Sequence, residues 1–434
     1  MADEVVPAPD PEPDSEEEAA AAREDVVWLD RWQQLGVAFS PATPITSRDL
    51  LAGRIRQLGD LFDVARQAGQ HSVVYGERGV GKTSLATVTA SLMESTMIVV
   101  RVNCYASDTF TTVWAKVLDE IKLSRKLPGI GFHDLSSEVV ETASTFLGVT
   151  DPSPEDVRKA LQVLGGVAPV LVIIDEFDRL SDAPATALFA DTIKALSDHQ
   201  VRATIILVGV ADNVDQLVAE HRSVERAMVQ IHMPRMSVDE LAKIVTIGLD
   251  TVEMEIDEQG LRLVTSLSQG LPHYTHQLAL LASRHAVQER TELVVRRHVD
   301  AAIADAIKKA QESILDTHHR AIMSSRPNMY GQVLLACAVA EADDRGFFAA
   351  SDVRGPLSTI MGRNYDIPAY AKHLNDFSTD TRGNVLQQIG RPRSYRYRFS
   401  NPLLQPFVIM RGISSGLLSA DTLGQVRASL QSSI

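Results

Sequence analysis

The sequence predicts an α/β protein: a parallel sheet with helices on both faces, then a helical block, then a smaller block with a β-hairpin. Three observations predict it. A short β-branched run, "HSVVYG", passes through a glycine-rich turn into "KTSLATVTASLM", whose spacing puts Leu85, Val88 and Leu92 on one helical face. A second apolar run, "PVLVIIDEFDRL", ends in two adjacent carboxylates. Around these, strand-like and helix-like segments alternate, the pattern of a sheet covered on both sides.

In chain order, residues 1–25 hold ten acids and one arginine, −9 of the chain's formal −14, with little to bury. They read as a disordered acidic tail. A short apolar segment follows, ending in the Pro-interrupted "SPATPIT", and then "TSRDLLAGRIRQLGDLFDVARQAG" reads as an amphipathic helix with its lead-in. Beyond the glycine-rich turn, "TMIVVRVNC" is a strand and "DTFTTVWAKVLDEI" a helix. Residues 124–158 are turn-rich and read as an irregular insertion. "PVLVIIDEFD" and "ATIILVGVAD" are central strands, separated by the helix "ATALFADTIKALSDH". From Ser237 to about Gln311 the pattern is helical throughout, and 325–412 combine helical pieces with a hairpin. The expected divisions are 1–25, 26–236, 237–320 and 321–434.

The 434 residues, 45% apolar and 23% charged, suit two or three domains. No apolar stretch reaches the length of a membrane span, and no basic segment followed by an apolar core marks a secretion signal. The two cysteines, Cys104 and Cys337, lie in apolar contexts and give neither a disulfide framework nor a metal cluster. A reducing cytoplasm is the expected location.

The glycine-rich turn carries the chemistry. From Gly76 to Thr83 the spacing is G-x-x-x-x-G-K-T, through Glu77, Arg78, Gly79, Val80, Gly81 and Lys82 to Ser84 just beyond. Glycines let the backbone curl so that successive N–H groups face inward on phosphates, and the following helix adds its positive end. Lys82 can reach the terminal phosphates of ATP, and the Thr83 hydroxyl can hold Mg²⁺. At the tip of the second run, Asp175 would hold the same Mg²⁺ through water and Glu176 would polarise the attacking water.

These parts, in this order, resemble the AAA+ ATPases, and among them the origin recognition and replication initiator branch. The resemblance covers residues 46–310. "LLAGRIRQL" resembles the box whose Gly-Arg pair begins a helix near the adenine, which implies a nucleotide role for Arg54. "VRVNCYASDTFTTVW" and "VLVIIDEFD" are similar to the second strand and the Walker B strand, and "SQGLPHYTHQLA" to the lid segment. The chain departs from the pattern in two places. Where the lid usually has an Arg it has His273. Where the fourth strand usually offers a polar sensor, "VGVADN" offers Asp212 or Asn213, and Asn213 is preferred because an Asp would repel the γ-phosphate. The resemblance further implies a subunit-completing arginine finger, Arg226 best by spacing and Arg222 second. Slow, assembly-gated ATP hydrolysis in an oligomer of like or related subunits is the implied activity.

The third block points to a partner. "LQQIG", the turn "RPRS" and "YRYRF" suggest a hairpin in which Tyr395, Tyr397 and Phe399 share one face and Arg396 and Arg398 the other. A hairpin after helices is the pattern of a winged helix. Arg354 to Arg411 carry nine basic and three acidic residues, opposite in sign to the whole chain. Arg391, Arg393, Arg396 and Arg398 are therefore candidate contacts to double-stranded DNA, remote from the phosphate loop. The alternative is a signalling or defence ATPase whose winged helix binds protein.

Overall fold

The computed structural model describes residues 16–41, 53–127, 137–148, 151–211, 224, 226–324, 328–392 and 394–423. The strands of the first body are β1 (His71–Gly76), β2 (Ile98–Asn103), β3 (Lys122–Leu127), β4 (Ser137–Thr142), β5 (Val170–Asp175), β6 (Ala203–Val210) and β7 (Met228–His232). Five of them form one parallel sheet in the order β2-β5-β6-β1-β7. The helices up to this point are α1 (Glu16–Ala38), α2 (Ile55–Arg66), α3 (Lys82–Met93), α4 (Phe110–Glu120), α5 (Ala143–Leu147), α6 (Pro154–Val167) and α7 (Ala183–Asp198).

The apolar strands feed two cores because side chains alternate across a sheet. Val74, Leu171, Ile173, Ile206 and Val208 pack with α2 and α3. Val73, Val102, Val172, Ile174, Ile205 and Leu207 pack with α4, α6 and α7 on the other face. There, Phe189 gathers Phe110, Trp114 and Phe177 around it at centroid distances of 5.1–6.0 Å. Since Phe177 directly follows Glu176, this cluster anchors the turn that carries the two carboxylates. The helix after β1 buries Leu85 and Val88 as its spacing implies, but Leu92 is exposed.

A helical block follows: α8 (Val238–Asp250), α9 (Glu258–Ser268), α10 (Pro272–Gln288) and α11 (Arg296–Lys308). The sequence starts α8 with a capping box. Glu240 N donates to Ser237 Oγ at 3.2 Å and Ser237 N to Glu240 Oε2 at 2.8 Å. The third block holds α12 (Glu312–Ile322), α13 (Tyr330–Val339), α14 (Arg354–Met361), α15 (Ile367–Phe377) and α16 (Leu404–Ser414). Its strands β10 (Phe348–Ala349), β11 (Leu386–Ile389) and β12 (Arg396–Phe399) form an antiparallel sheet in the order β10-β12-β11. The helical block and the third block share one continuous apolar core. No helix among the described residues is long and apolar enough to cross a membrane.

Several expectations are corrected. Residues 16–25, assigned to a disordered tail, are helical within α1. The far end of α1 does not join the sheet: Leu35, Ala38 and Phe39 pack into the core of the helical block. A Cβ on Gly248 of α8 would stand 2.4 Å from the Phe39 ring, so only glycine admits that ring. Within 124–158, β3 and β4 pair as an antiparallel hairpin and α5 and the start of α6 follow. Between Ser237 and Gln311 there is also a small parallel pair, β8 (Glu255–Ile256) with β9 (Leu293–Val294).

Two buried histidines set a pH limit on the fold. His71 Nδ1 accepts a hydrogen bond from Ile205 N at 3.0 Å, and burial pushes its pKa down to about 3. Burial, with His273 nearby, lowers His276 to about 4. Both rings are neutral when folded but take up protons near 6.5 when unfolded, so the unfolded chain binds more protons below that pH. Stability is therefore full above pH 6.5 and falls as pH drops from 6.5 toward 4, by up to about 1.4 kcal/mol per pH unit for each ring. Urea unfolding at pH 7.5, 6 and 5 should show this fall, and His71→Asn should roughly halve its slope, leaving the part due to His276. A midpoint that does not move over this range contradicts it.

A candidate nucleotide site

The loop from β1 to α3 is bent as its glycines require. Gly79 and Gly81 have φ of +89° and +95°, in the left-handed region that favours glycine. A Cβ on Gly76 would stand 2.4 Å from the Met233 carbonyl, which follows β7. Lys82 opens α3, and its Nζ lies back across the loop, donating to Gly76 O at 3.0 Å and Glu77 O at 2.8 Å. Burial lowers its pKa to about 8, while Asp178, Asp175 and Glu77 pull it upward. Thr83 and Ser84 occupy the first turn of α3.

Asp175 and Glu176 emerge at the same end of the sheet, from β5. Asp175 is buried. Its Oδ1 accepts from Glu176 N at 2.8 Å, and its Oδ2 faces Arg101 Nη2 at 3.1 Å. Arg101 also donates to Thr87 Oγ1 at 2.5 Å. Glu176 has φ of +54° and is exposed, its carboxylate 2.8 Å from Arg179. Asp178 accepts from the backbone N–H of Val210, tying this turn to the end of β6.

Two further expected residues lie against the loop. Arg54, almost wholly buried, donates to Val80 O at 3.3 Å and Pro234 O at 2.6 Å, and burial lowers its pKa despite the nearby Glu240. Its guanidinium thus braces the loop from behind. His273 sits in the first turn of α10, its Nδ1 2.8 Å from Pro41 O, with its pKa lowered by burial and by Arg78. A neutral ring, not a cation, is what α10 brings toward the loop. His276 is buried, with neither nitrogen partnered among the described residues.

Arg226 is exposed just ahead of β7 and has no ion pair with another described residue. Asp212, Asn213, Arg222 and Arg393 lie outside the described residues.

The hairpin arginines divide. Arg391 is exposed at the turn. Tyr397 and Phe399 are buried as expected and Tyr395 is half-buried. Arg396, however, is ion-paired with Asp343 at 3.0 Å and donates to Phe347 O at 2.8 Å, so an acid does meet it. Arg398 donates to Gln387 Oε1 at 2.8 Å and stacks 4.6 Å over the Phe347 ring. Nor is this block remote from the loop. Arg235 joins Glu77 at 2.7 Å to Gln405 Oε1 at 2.7 Å, and a Cβ on Gly79 would stand 3.2 Å from a methyl carbon of Leu403. Tyr274 Oη donates to Leu403 O at 2.7 Å.

Arg101 and Arg235 were missed by reading the sequence. A lone charge inside the apolar run "MIVVRVN" was the available signal for Arg101, because a charge in a covered strand needs a partner. Arg235 stands in a loop, where sequence gives no such contrast.

The first body has a P-loop α/β fold: a parallel sheet, a glycine-rich loop after β1 and paired carboxylates after β5, with a helical block leaning on the loop. Residues 65–218 match the family of AAA domains. Among solved structures the chain is similar to the Aeropyrum pernix ORC2 protein, solved as ADPNP–ADP complexes (15% identity over 91% of this chain and 98% of that one, TM-score 0.47). It is similar also to the Aeropyrum pernix ORC1 protein in complex with DNA (16%, 88% and 98%, TM-score 0.46) and to Cdc6p from Pyrobaculum aerophilum (15%, 88% and 99%, TM-score 0.44).

Proposed function

We propose that this chain is an ATP-binding and ATP-hydrolysing switch that assembles with copies of itself or related subunits and engages DNA or a DNA-bound partner. The observation that carries this is the Gly76–Thr83 cradle with Asp175 and Glu176 at the same sheet edge. Backbone N–H groups of the loop and Lys82 would hold the phosphates, and Arg54 would support the loop. Thr83 and Asp175 fit Mg²⁺, which takes one or two protein oxygens beside phosphates and waters. Bound Mg²⁺ supplies charge neutralisation at the terminal phosphates. Arg101 holds the Asp175 carboxylate in place at 3.1 Å.

Glu176 is the proposed acceptor of the attacking water's proton, after leaving Arg179, and Asn213 the proposed sensor. Arg226, exposed and unpaired among the described residues, is the proposed finger offered to a neighbouring subunit. Mixing Arg226→Ala with Glu176→Gln is expected to restore part of the turnover that each lacks alone, since a mixed interface can hold one intact site. A mixture that stays inactive while both variants assemble rules out a trans-acting Arg226.

The third block reads as a winged helix: α13, the short β10, α14 and α15, then the β11–β12 hairpin. Arg391, Arg393 and Arg396 would meet DNA phosphate. The pairing of Arg396 with Asp343 favours a second reading, a signalling or defence ATPase whose winged helix binds protein. Turnover measured across chain concentration, with and without double-stranded DNA, tests the proposal. It predicts turnover that rises with concentration and changes with DNA. Turnover indifferent to DNA, with no DNA bound at low salt, selects the second reading, and no turnover at any concentration overturns both.

A further inference from the structure

A cavity of about 230 Å³ lies between the phosphate loop and the third block. One wall is Glu77 and Arg78 of the loop with Val210 at the end of β6; the other is Arg398, Ser400 and Asn401, where β12 runs out. Gly76 and Val210 are register partners on adjacent strands, so the cavity opens where β1 and β6 end. In open parallel sheets, ligands sit at that edge.

The position of Lys82 tells which end of a nucleotide faces this cavity. Lysine of this motif addresses the terminal phosphates. Its ammonium here rests on the carbonyls of Gly76 and Glu77. The cavity walled by Glu77 is therefore at the terminal-phosphate end.

Its lining offers an anion two arginines. The Glu77 carboxylate is met by Arg235 at 2.7 Å, both mostly buried, and Arg78 and Arg398 are the cationic residues of the lining, Arg398 with partners of its own. The Arg398 guanidinium is also held in place, stacked on Phe347 and bonded through Nε to Gln387. The block that carries it is fastened to the loop by the Glu77–Arg235–Gln405 bridge and by Leu403 against Gly79.

We propose that Arg398, from the hairpin of the same chain, contacts the terminal phosphate of bound ATP, so that the third block forms the outer wall of the nucleotide site and distinguishes ATP from ADP. This rests on the nucleotide reading above and reassigns Arg398 from DNA to nucleotide. A guanidinium is suited to the task because its planar fork makes charge-assisted bonds to phosphate.

The test is calorimetric affinity for ATP and for ADP, with Mg²⁺, in wild type, Arg398→Ala, Arg398→Lys and Arg354→Ala. Arg354 is an exposed arginine of the same block, paired with Asp366. Arg398→Ala should weaken ATP at least about tenfold and ADP by less than about twofold, Arg398→Lys should lie between, and Arg354→Ala should change neither. Equal weakening of ATP and ADP by Arg398→Ala, with a lowered unfolding midpoint, makes Arg398 a support of the block's docking and overturns the proposal. So does an unchanged ATP/ADP ratio together with weakened DNA binding. If wild type binds no nucleotide, the underlying reading fails instead. If wild type binds and Lys82→Ala does not, that reading stands whatever Arg398 shows.

Discussion

Lys82→Ala is expected to lower ATP affinity by at least about a hundredfold while leaving the chain folded. The ammonium is the one cation that opens α3, and it rests on the first two carbonyls of the loop. Charge-assisted bonds to phosphate are worth roughly 1.5–3 kcal/mol each, and at least two are lost. The cost to the fold is small by comparison. Burial already disfavours the Lys82 charge, as its lowered pKa of about 8 records, and water can replace it on the two carbonyls. Calorimetry with ATP reads the first effect and urea unfolding the second. Unchanged affinity removes the loop from the account.

Glu176→Gln is expected to act in the opposite way on binding, retaining ATP and slowing its hydrolysis by at least about a hundredfold, because an amide cannot take a proton from water. The change is close to neutral for the fold. Glu176 and Arg179 are each about half exposed, and an ion pair of that kind contributes little. The turn is held instead by Phe177 in its aromatic cluster and by Asp178 on Val210 N. Turnover within a few-fold of wild type, in an assay with saturating ATP, shows that Glu176 is not the base.

Both residues were legible in the sequence because local patterns placed them. β1 and β5 are apolar runs of buried composition, and each ends in the residues proposed to carry chemistry, so strand, turn and proposed site coincide. The alternation of Tyr397 and Phe399 with Arg396 and Arg398 was legible for the same reason. What could not be read was contact between segments far apart in the chain. Arg101 on Asp175, Arg235 between Glu77 and Gln405, and Leu403 over Gly79 join residues 74 to 324 positions apart. Charge counting over 354–411 likewise missed Asp343, which lies before that window and meets Arg396. The helix through residues 16–25 was hidden by pooling them with residues 1–15, which hold all four prolines of the tail, whereas 16–25, "EEEAAAARED", have none and are rich in helix-favouring Ala and Glu. Its far end is fixed by Leu35 and Phe39 in the helical core, and cooperativity carries the helix back from there.

The central claim is that one site, built from the β1 loop and the tip of β5, binds ATP and turns it over. The most direct measurement is the nucleotide retained after incubation with ATP and Mg²⁺, filtration and chromatography, in wild type, Lys82→Ala and Glu176→Gln. The account predicts ADP on wild type, ATP on Glu176→Gln and none on Lys82→Ala. The same nucleotide content on all three chains contradicts it.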